Sequence, residues 1–153
     1  MWYMRRIQTI SATATTRAPA ERVFAIVADT ENWPRWARFD SAVLERPGSP
    51  DRQGVGAIRR FTKGRSHNRE EVVAYEPPNR FAYILLEGLP LDDYRAEVVM
   101  TPTGDTTKIT WTSTFRVRPP RLAWPYRVAL DRFIADTVNR LAKASEGAAD
   151  SIG

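Results

Sequence analysis

Between Phe39 and Phe115 the chain passes through strand-like segments joined by turns too short to hold a helix. The segments fall at 41–46, 54–63, 68–76, 80–87, 94–101 and 106–117. Separators such as Pro47-Gly48-Ser49-Pro50, Lys63-Gly64-Arg65-Ser66, Pro77-Pro78-Asn79 and Thr103-Gly104-Asp105 are rich in residues that set turn geometry. A parallel return needs a crossover of roughly a dozen residues, so connections this short make successive strands antiparallel neighbours. In the last segment Ile109, Trp111, Ser113 and Phe115 alternate with Lys108, Thr110, Thr112 and Thr114, which predicts one buried face and one wet one.

Ahead of this meander, residues 5–16 read as a β-branched strand, with Ile7, Thr9, Ser11 and Thr13 opposite Gln8, Ile10, Ala12 and Ala14. Ala18-Pro19-Ala20-Glu21 opens a short helix, Pro fixing φ and Glu21 sitting near the positive N-terminal end. Val23, Phe24, Ile26 and Val27 form its apolar stripe. Asp29-Thr30-Glu31-Asn32 ends it, and Trp33-Pro34-Arg35-Trp36 reads as a second helical turn. After Pro119-Pro120 a long helix is expected at about 121–145, stopped at Gly147. Tyr126, Ala129, Leu130, Phe133, Ile134, Thr137, Val138 and Leu141 recur at helical spacing, opposite Arg127, Asp131, Arg132, Asp136 and Arg140. At about 1.5 Å per residue that rod runs roughly 36 Å, similar to a ten-residue strand at about 3.3 Å each. A strongly twisted antiparallel sheet can bend around such a rod and grip it.

The 153 residues make one domain, expected over 1–153 with its core at about 5–145 and a flexible tail at 146–153. Without Cys there is no disulfide, thiolate metal site or Cys nucleophile, and a lone His67 excludes sites built on two imidazoles. No metal and no cofactor are expected. The net charge of +5 comes from 23 Lys+Arg against 18 Asp+Glu. The Arg residues are scattered (Arg5, Arg6, Arg59, Arg60, Arg65, Arg69, Arg116, Arg118, Arg121), which reads as solvated surface rather than a nucleic-acid footprint. The N-terminal MWYMRRIQTI lacks a signal-peptide apolar run, so a cytoplasmic location is expected.

Four stretches in order carry a family resemblance: Ala18-Pro19-Ala20-Glu21-Arg22-Val23-Phe24-Ala25, Asn32-Trp33-Pro34-Arg35-Trp36, Tyr75-Glu76-Pro77-Pro78-Asn79-Arg80-Phe81, and Thr101-Pro102-Thr103-Gly104-Asp105-Thr106-Thr107-Lys108-Ile109-Thr110-Trp111. Over about residues 6–141 the chain resembles the START-like (SRPBCC) superfamily, closest to its polyketide cyclase/dehydrase-like branch. The resemblance implies an α+β helix-grip fold: a strongly bent antiparallel sheet of about seven strands, two short helices after the first strand, and a long C-terminal helix gripped by the sheet. It also implies an elongated cavity between sheet and helix. Fold alone does not give function, since such domains include enzymes, carriers and sensors.

On that reading the cavity-lining residues are Phe61, Phe81, Tyr83, Leu85, Tyr94, Val98, Met100, Trp111, Ser113, Phe115, Leu130, Phe133, Ile134 and Thr137. Taken singly, each is more simply a core residue. Arg59 alternates with Ala57 and Phe61; pointing inward, its guanidinium could clamp a carboxylate, enolate or phenolate, and otherwise it is a solvated neighbour of Arg60. Tyr83 and Tyr94 carry hydroxyls that need a partner if buried, such as a ligand carbonyl. His67 lies by the Gly64 turn and reads as exposed, although an imidazole can act as a general base. Arg59, Tyr83 and His67 are thus the catalytic candidates. At 67–76, His67, Arg69, Glu71, Val73 and Tyr75 share one face and Asn68, Glu70, Val72 and Ala74 the other, and the pattern does not choose between them. The apolar loop 86–91 and Leu122 and Trp124 suit an entrance or a membrane touch.

The first functional reading is carriage or sensing of a hydrophobic small molecule: a lipid, an isoprenoid or a polyketide-like aromatic. The second is a polyketide cyclase or dehydratase that folds a reactive chain against an Arg or Tyr. The third is a membrane- or RNA-contacting partner domain that uses its basic surface. Sequence-specific nucleic-acid binding is not expected, membrane contact is expected to be transient at most, and monomer and homodimer are equally open.

Overall fold

The computed structural model describes residues 6–117 and 119–150. Seven strands form one antiparallel sheet: β1 (Gln8–Thr16), β2 (Ser41–Arg46), β3 (Ile58–Lys63), β4 (Ser66–Glu76), β5 (Arg80–Glu87), β6 (Leu91–Thr103) and β7 (Thr106–Val117). Their order is β1-β7-β6-β5-β4-β3-β2, so β2 to β7 form the expected meander and β1 closes onto β7. Between β1 and β2 lie α1 (Ala20–Ala28) and a 3-10 turn (Thr30–Arg35). A second 3-10 turn (Pro120–Leu122) leads into the long helix α2 (Ala123–Asp150).

Alternation sets the faces. Thr107, Ile109, Trp111, Ser113, Phe115 and Val117 of β7 are all buried, while the intervening residues are not. On β4 the choice left open by the sequence falls to the Glu70, Val72 and Ala74 side, which is buried. Tyr75 is nevertheless half-buried: beyond a register shift between Val72 and Ala74, its ring meets Phe24 edge-on at 5.0 Å. Val23, Phe24 and Val27 of α1 plug one end of the bent sheet.

Several boundaries differ from expectation: β4 starts at Ser66 rather than 68, and β6 covers Leu91–Thr103 rather than 94–101. β3 begins at Ile58 rather than 54, because Gly54 and Gly56 serve a turn; Gly56 has a φ of 91°. The long helix does not stop at Gly147 but runs on to Asp150. A glycine ends a helix when it adopts the left-handed conformation, and Gly147 is not among the residues with positive φ. One exposed glycine then costs the helix only about 1 kcal/mol. Of the expected tail, 146–150 is thus helical, while 151–153 lies outside the described residues, as do Arg5 and Arg118. Among the described residues, no helix is long and apolar enough to cross a membrane.

Candidate functional site

Burial along α2 is uneven, and the unevenness makes the site. Ile134, Thr137, Val138, Leu141, Ala142 and Ser145 are buried, whereas no residue from Ala123 to Phe133 is. The sheet therefore grips the C-terminal half of the helix and leaves a gap under the N-terminal half. A cavity of about 320 Å³ occupies that gap, at the small end of the roughly 300–1,000 Å³ usual for small-molecule sites. Its apolar walls are Trp33, Phe39, Leu85, Leu89, Trp111, Tyr126, Leu130 and Phe133, with the rings of Tyr83 and Tyr94.

The cavity has a dry end and a wet end. Trp33, Glu70, Tyr83, Tyr94, Trp111 and Thr137 are buried cavity-lining residues and form the inner end. Lys63, Ser66, His67, Gly88, Leu89 and Ala129 are exposed and form the mouth. Gly88 is required there: its φ is 128°, and a Cβ would stand 2.6 Å from the Asn68 Cβ, so only glycine lets the loop after β5 lie on β4. His67 Nε2 is 3.9 Å from a Glu87 carboxylate oxygen at this rim.

At the inner end Arg59 Nη2 donates to Glu70 Oε1 at 2.7 Å, with Arg59 fully buried and Glu70 nearly so. Arg59 Nη1 donates to the Val27 carbonyl at 3.2 Å, one of the last carbonyls of α1, where the helix dipole favours a cation. Trp33, Phe61, Phe81 and Tyr83 present their rings to the guanidinium at 4.9–5.3 Å. Asn68 Nδ2 reaches the other Glu70 oxygen at 3.3 Å. Burial pushes the Glu70 carboxyl above its ordinary range, partly offset by the charge and hydrogen bond of Arg59.

Tyr94 Oη shares a hydrogen bond with Ser113 Oγ at 3.0 Å. Burial pushes the Tyr94 phenol up to about 12, against the opposing pull of the Ser113 bond. Burial also raises Tyr83 well above its ordinary value, and neighbouring Tyr94 and Glu70 add to the effect. The Trp111 indole N–H lies near enough to ease Tyr83's ionisation slightly, yet Nε1 is buried without an aligned hydrogen bond. Both phenols therefore stay neutral at physiological pH and act as hydroxyl groups. Among the described residues, no group of three or more His, Asp or Glu gathers as a metal site would require.

Of the residues nominated from sequence, Tyr83, Leu85, Tyr94, Trp111, Leu130, Phe133 and Thr137 line this cavity, and His67 stands at its mouth. Phe61, Phe81, Val98, Met100, Ser113, Phe115 and Ile134 do not; they are buried in the core. Phe115 stacks behind Tyr94 at 6.0 Å, and Ser113 holds the Tyr94 hydroxyl. Phe81 pairs with Val98, and Met100 with Ile109, in the core where the inner face is packed. Arg59 points inward as anticipated, but Val27 and Glu70 hold its Nη1 and Nη2, its Nε is buried without a hydrogen bond, and it does not line the cavity. Sequence reasoning missed Glu70, Trp33, Phe39, Tyr126 and Ala129 as lining residues. The signal for the last two was present, since the α2 stripe extends back to Tyr126.

Comparison with known proteins decides the family. Residues 8–146 match the family described as polyketide cyclase / dehydrase and lipid transport. The chain belongs to that family. It is 32% identical over 117 residues to the uncharacterized protein Rv2574 of Mycobacterium tuberculosis and to its Mycobacterium bovis counterpart Mb2604. The match covers 72% of this chain and 64% of theirs, so the chain spans less than two thirds of those relatives. Among solved structures, a START superfamily protein from Mycobacterium smegmatis superposes with a TM-score of 0.72 at 20% identity, covering 95% of this chain and 99% of that one. TTHA0849 from Thermus thermophilus matches with a TM-score of 0.72 at 20% identity over 92% of this chain and 99% of that one. Norcoclaurine synthase from Thalictrum flavum, in complex with dopamine and hydroxybenzaldehyde, reaches 0.73 at 15% identity over 92% of this chain and 87% of that one. At these identities the likeness is one of fold: a START-like, helix-grip architecture.

Proposed function

We propose that this chain binds a small, largely apolar molecule in the cavity under the N-terminal half of α2 and serves as its carrier or sensor. The observation that carries the reading is the cavity of about 320 Å³, walled by aromatic and aliphatic side chains from both sheet and helix. Buried apolar contact is worth roughly 25 cal/mol per Å², so such a chamber holds a guest mainly by removing it from water. A compartment of this size suits a one- or two-ring aromatic, a short isoprenoid or a short acyl chain, and is too small for a whole membrane lipid. The family's description, which includes lipid transport, supports the same class. Exposed Leu89 lies at the mouth, and Leu122 and Trp124 are exposed just before and within the first turn of α2, which suits transient contact with an apolar donor surface.

A cyclase or dehydratase activity is the second reading, favoured by one observation: Glu70, an acid with a raised pKa, faces the cavity. The deciding experiment is native mass spectrometry of protein purified from its own host, alongside displacement of an environment-sensitive fluorophore by aromatic and short-chain compounds. A co-purifying apolar molecule and displacement at micromolar concentrations are expected. Protein that emerges empty and displaces nothing ends the proposal.

A further inference from the structure

Arg59 is the inward-facing cation in this region, yet it is withheld from the cavity. Its guanidinium is bound by Glu70 and the Val27 carbonyl and enclosed by four aromatic rings, and it is not part of the cavity wall. Glu70 is the charged group that the buried inner end does present. Its Oε1 is taken by Arg59, while Oε2 has only a long 3.3 Å contact from Asn68 and keeps acceptor capacity. Cavity-lining Trp111 turns its indole N–H toward Tyr83 without an aligned hydrogen bond.

Resting on the ligand-binding reading above, we infer that the inner end selects guests bearing a neutral hydroxyl, an alcohol or a phenol, and rejects carboxylates. A guest hydroxyl donates to Glu70 Oε2, and the poorly aligned Trp111 N–H is a further donor on the cavity wall. A carboxylate has no proton to give and would bring a second negative charge beside Glu70, where little water remains to screen it. Lys63 and His67 provide positive or ionisable groups only at the exposed mouth. The chain is thus marked against free fatty acids despite its net charge of +5.

The test compares matched naphthalenes at neutral pH, where a phenol is protonated and a carboxylic acid ionised. Affinities of 2-naphthol, 2-naphthoate and unsubstituted naphthalene are measured by quenching of tryptophan fluorescence. The expected result is 2-naphthol at least tenfold tighter than 2-naphthoate, with naphthalene in between. In the double variant Arg59→Met with Glu70→Gln, which removes both charges together, the ratio should fall to about threefold or less. Naphthalene binding with 2-naphthoate equal to or tighter than 2-naphthol overturns the inference and leaves the cavity reading intact. An unchanged ratio in the double variant also overturns it. Failure of all three compounds to bind removes the cavity reading, and this inference with it.

Discussion

Thr16 Oγ1 and Ser145 Oγ meet at 2.7 Å, both buried, and join the last residue of β1 to the C-terminal half of α2. The direction of the bond follows from their other partners. Ser145 donates to the Ala142 carbonyl at 2.7 Å, and Thr16 accepts from the Ala18 N–H at 3.1 Å, so Thr16 donates to Ser145. Thr16→Val therefore strips partners from two groups, the Ala18 N–H and the Ser145 oxygen. Ser145→Ala takes the acceptor from the Thr16 hydroxyl and one donor from the Ala142 carbonyl, which keeps its backbone bond within α2. Each stranded buried group costs about 1–3 kcal/mol. Urea unfolding should rank Thr16→Val as the more damaging change, with the double variant well short of the sum.

Arg59 and Glu70 are register partners on β3 and β4. Removing one leaves the other charged in a dry interior. Arg59→Ala and Glu70→Ala should each cost about 3–5 kcal/mol, whereas Arg59→Met with Glu70→Leu should be close to neutral or stabilising. Single variants losing less than about 1 kcal/mol in chemical denaturation would mean that water reaches the pair.

Tyr94 makes stability sensitive to alkali. Its phenol ionises at about 12 in the folded protein against 10.0 for an unconstrained tyrosine. The folded state thus keeps a proton that the unfolded state gives up first. The contribution is whole below pH 10 and drains away as pH rises toward 12, at up to about 1.4 kcal/mol per unit. Tyr83 is shifted in the same direction. Urea midpoints measured between pH 10 and 12 should fall less steeply for Tyr94→Phe than for the parent chain.

Ala129 lines the cavity on its exposed side. An indole there blocks entry without entering the packed core. Ala129→Trp should abolish displacement of a bound fluorophore while changing unfolding free energy by no more than about 0.5 kcal/mol. Undiminished binding would place the guest elsewhere.

Much of this molecule is legible from alternation and turn chemistry. The bounds of β2, β5 and β7 coincide with the strand-like segments at 41–46, 80–87 and 106–117. Alternation reports which face of a strand is buried, but not how far along the strand a packed core gives way to a cavity. Val98 and Tyr94 sit on one face of β6, yet only Tyr94 lines the cavity. That boundary is drawn by α1 and by the point where α2 leaves the sheet, both products of tertiary packing. Glu70 was hidden for a related reason. Charges on both faces of β4 make the two registers equivalent in pattern, and the tie is broken by Arg59 on the neighbouring strand, a partner local periodicity does not register.

The fully buried contacts of α2 begin at Ile134, while Tyr126, Leu130 and Phe133 ahead of it are only partly buried against the core, so the helix should give most easily about a point near Ile134. A slight tilt there moves Tyr126 and Leu130 through the largest arc, so accommodating a bulkier guest costs bending at one spot rather than melting of the domain. Amide hydrogen exchange should accordingly run faster over 123–133 than over 134–145, and a bound guest should slow the first stretch while leaving the second nearly as it was.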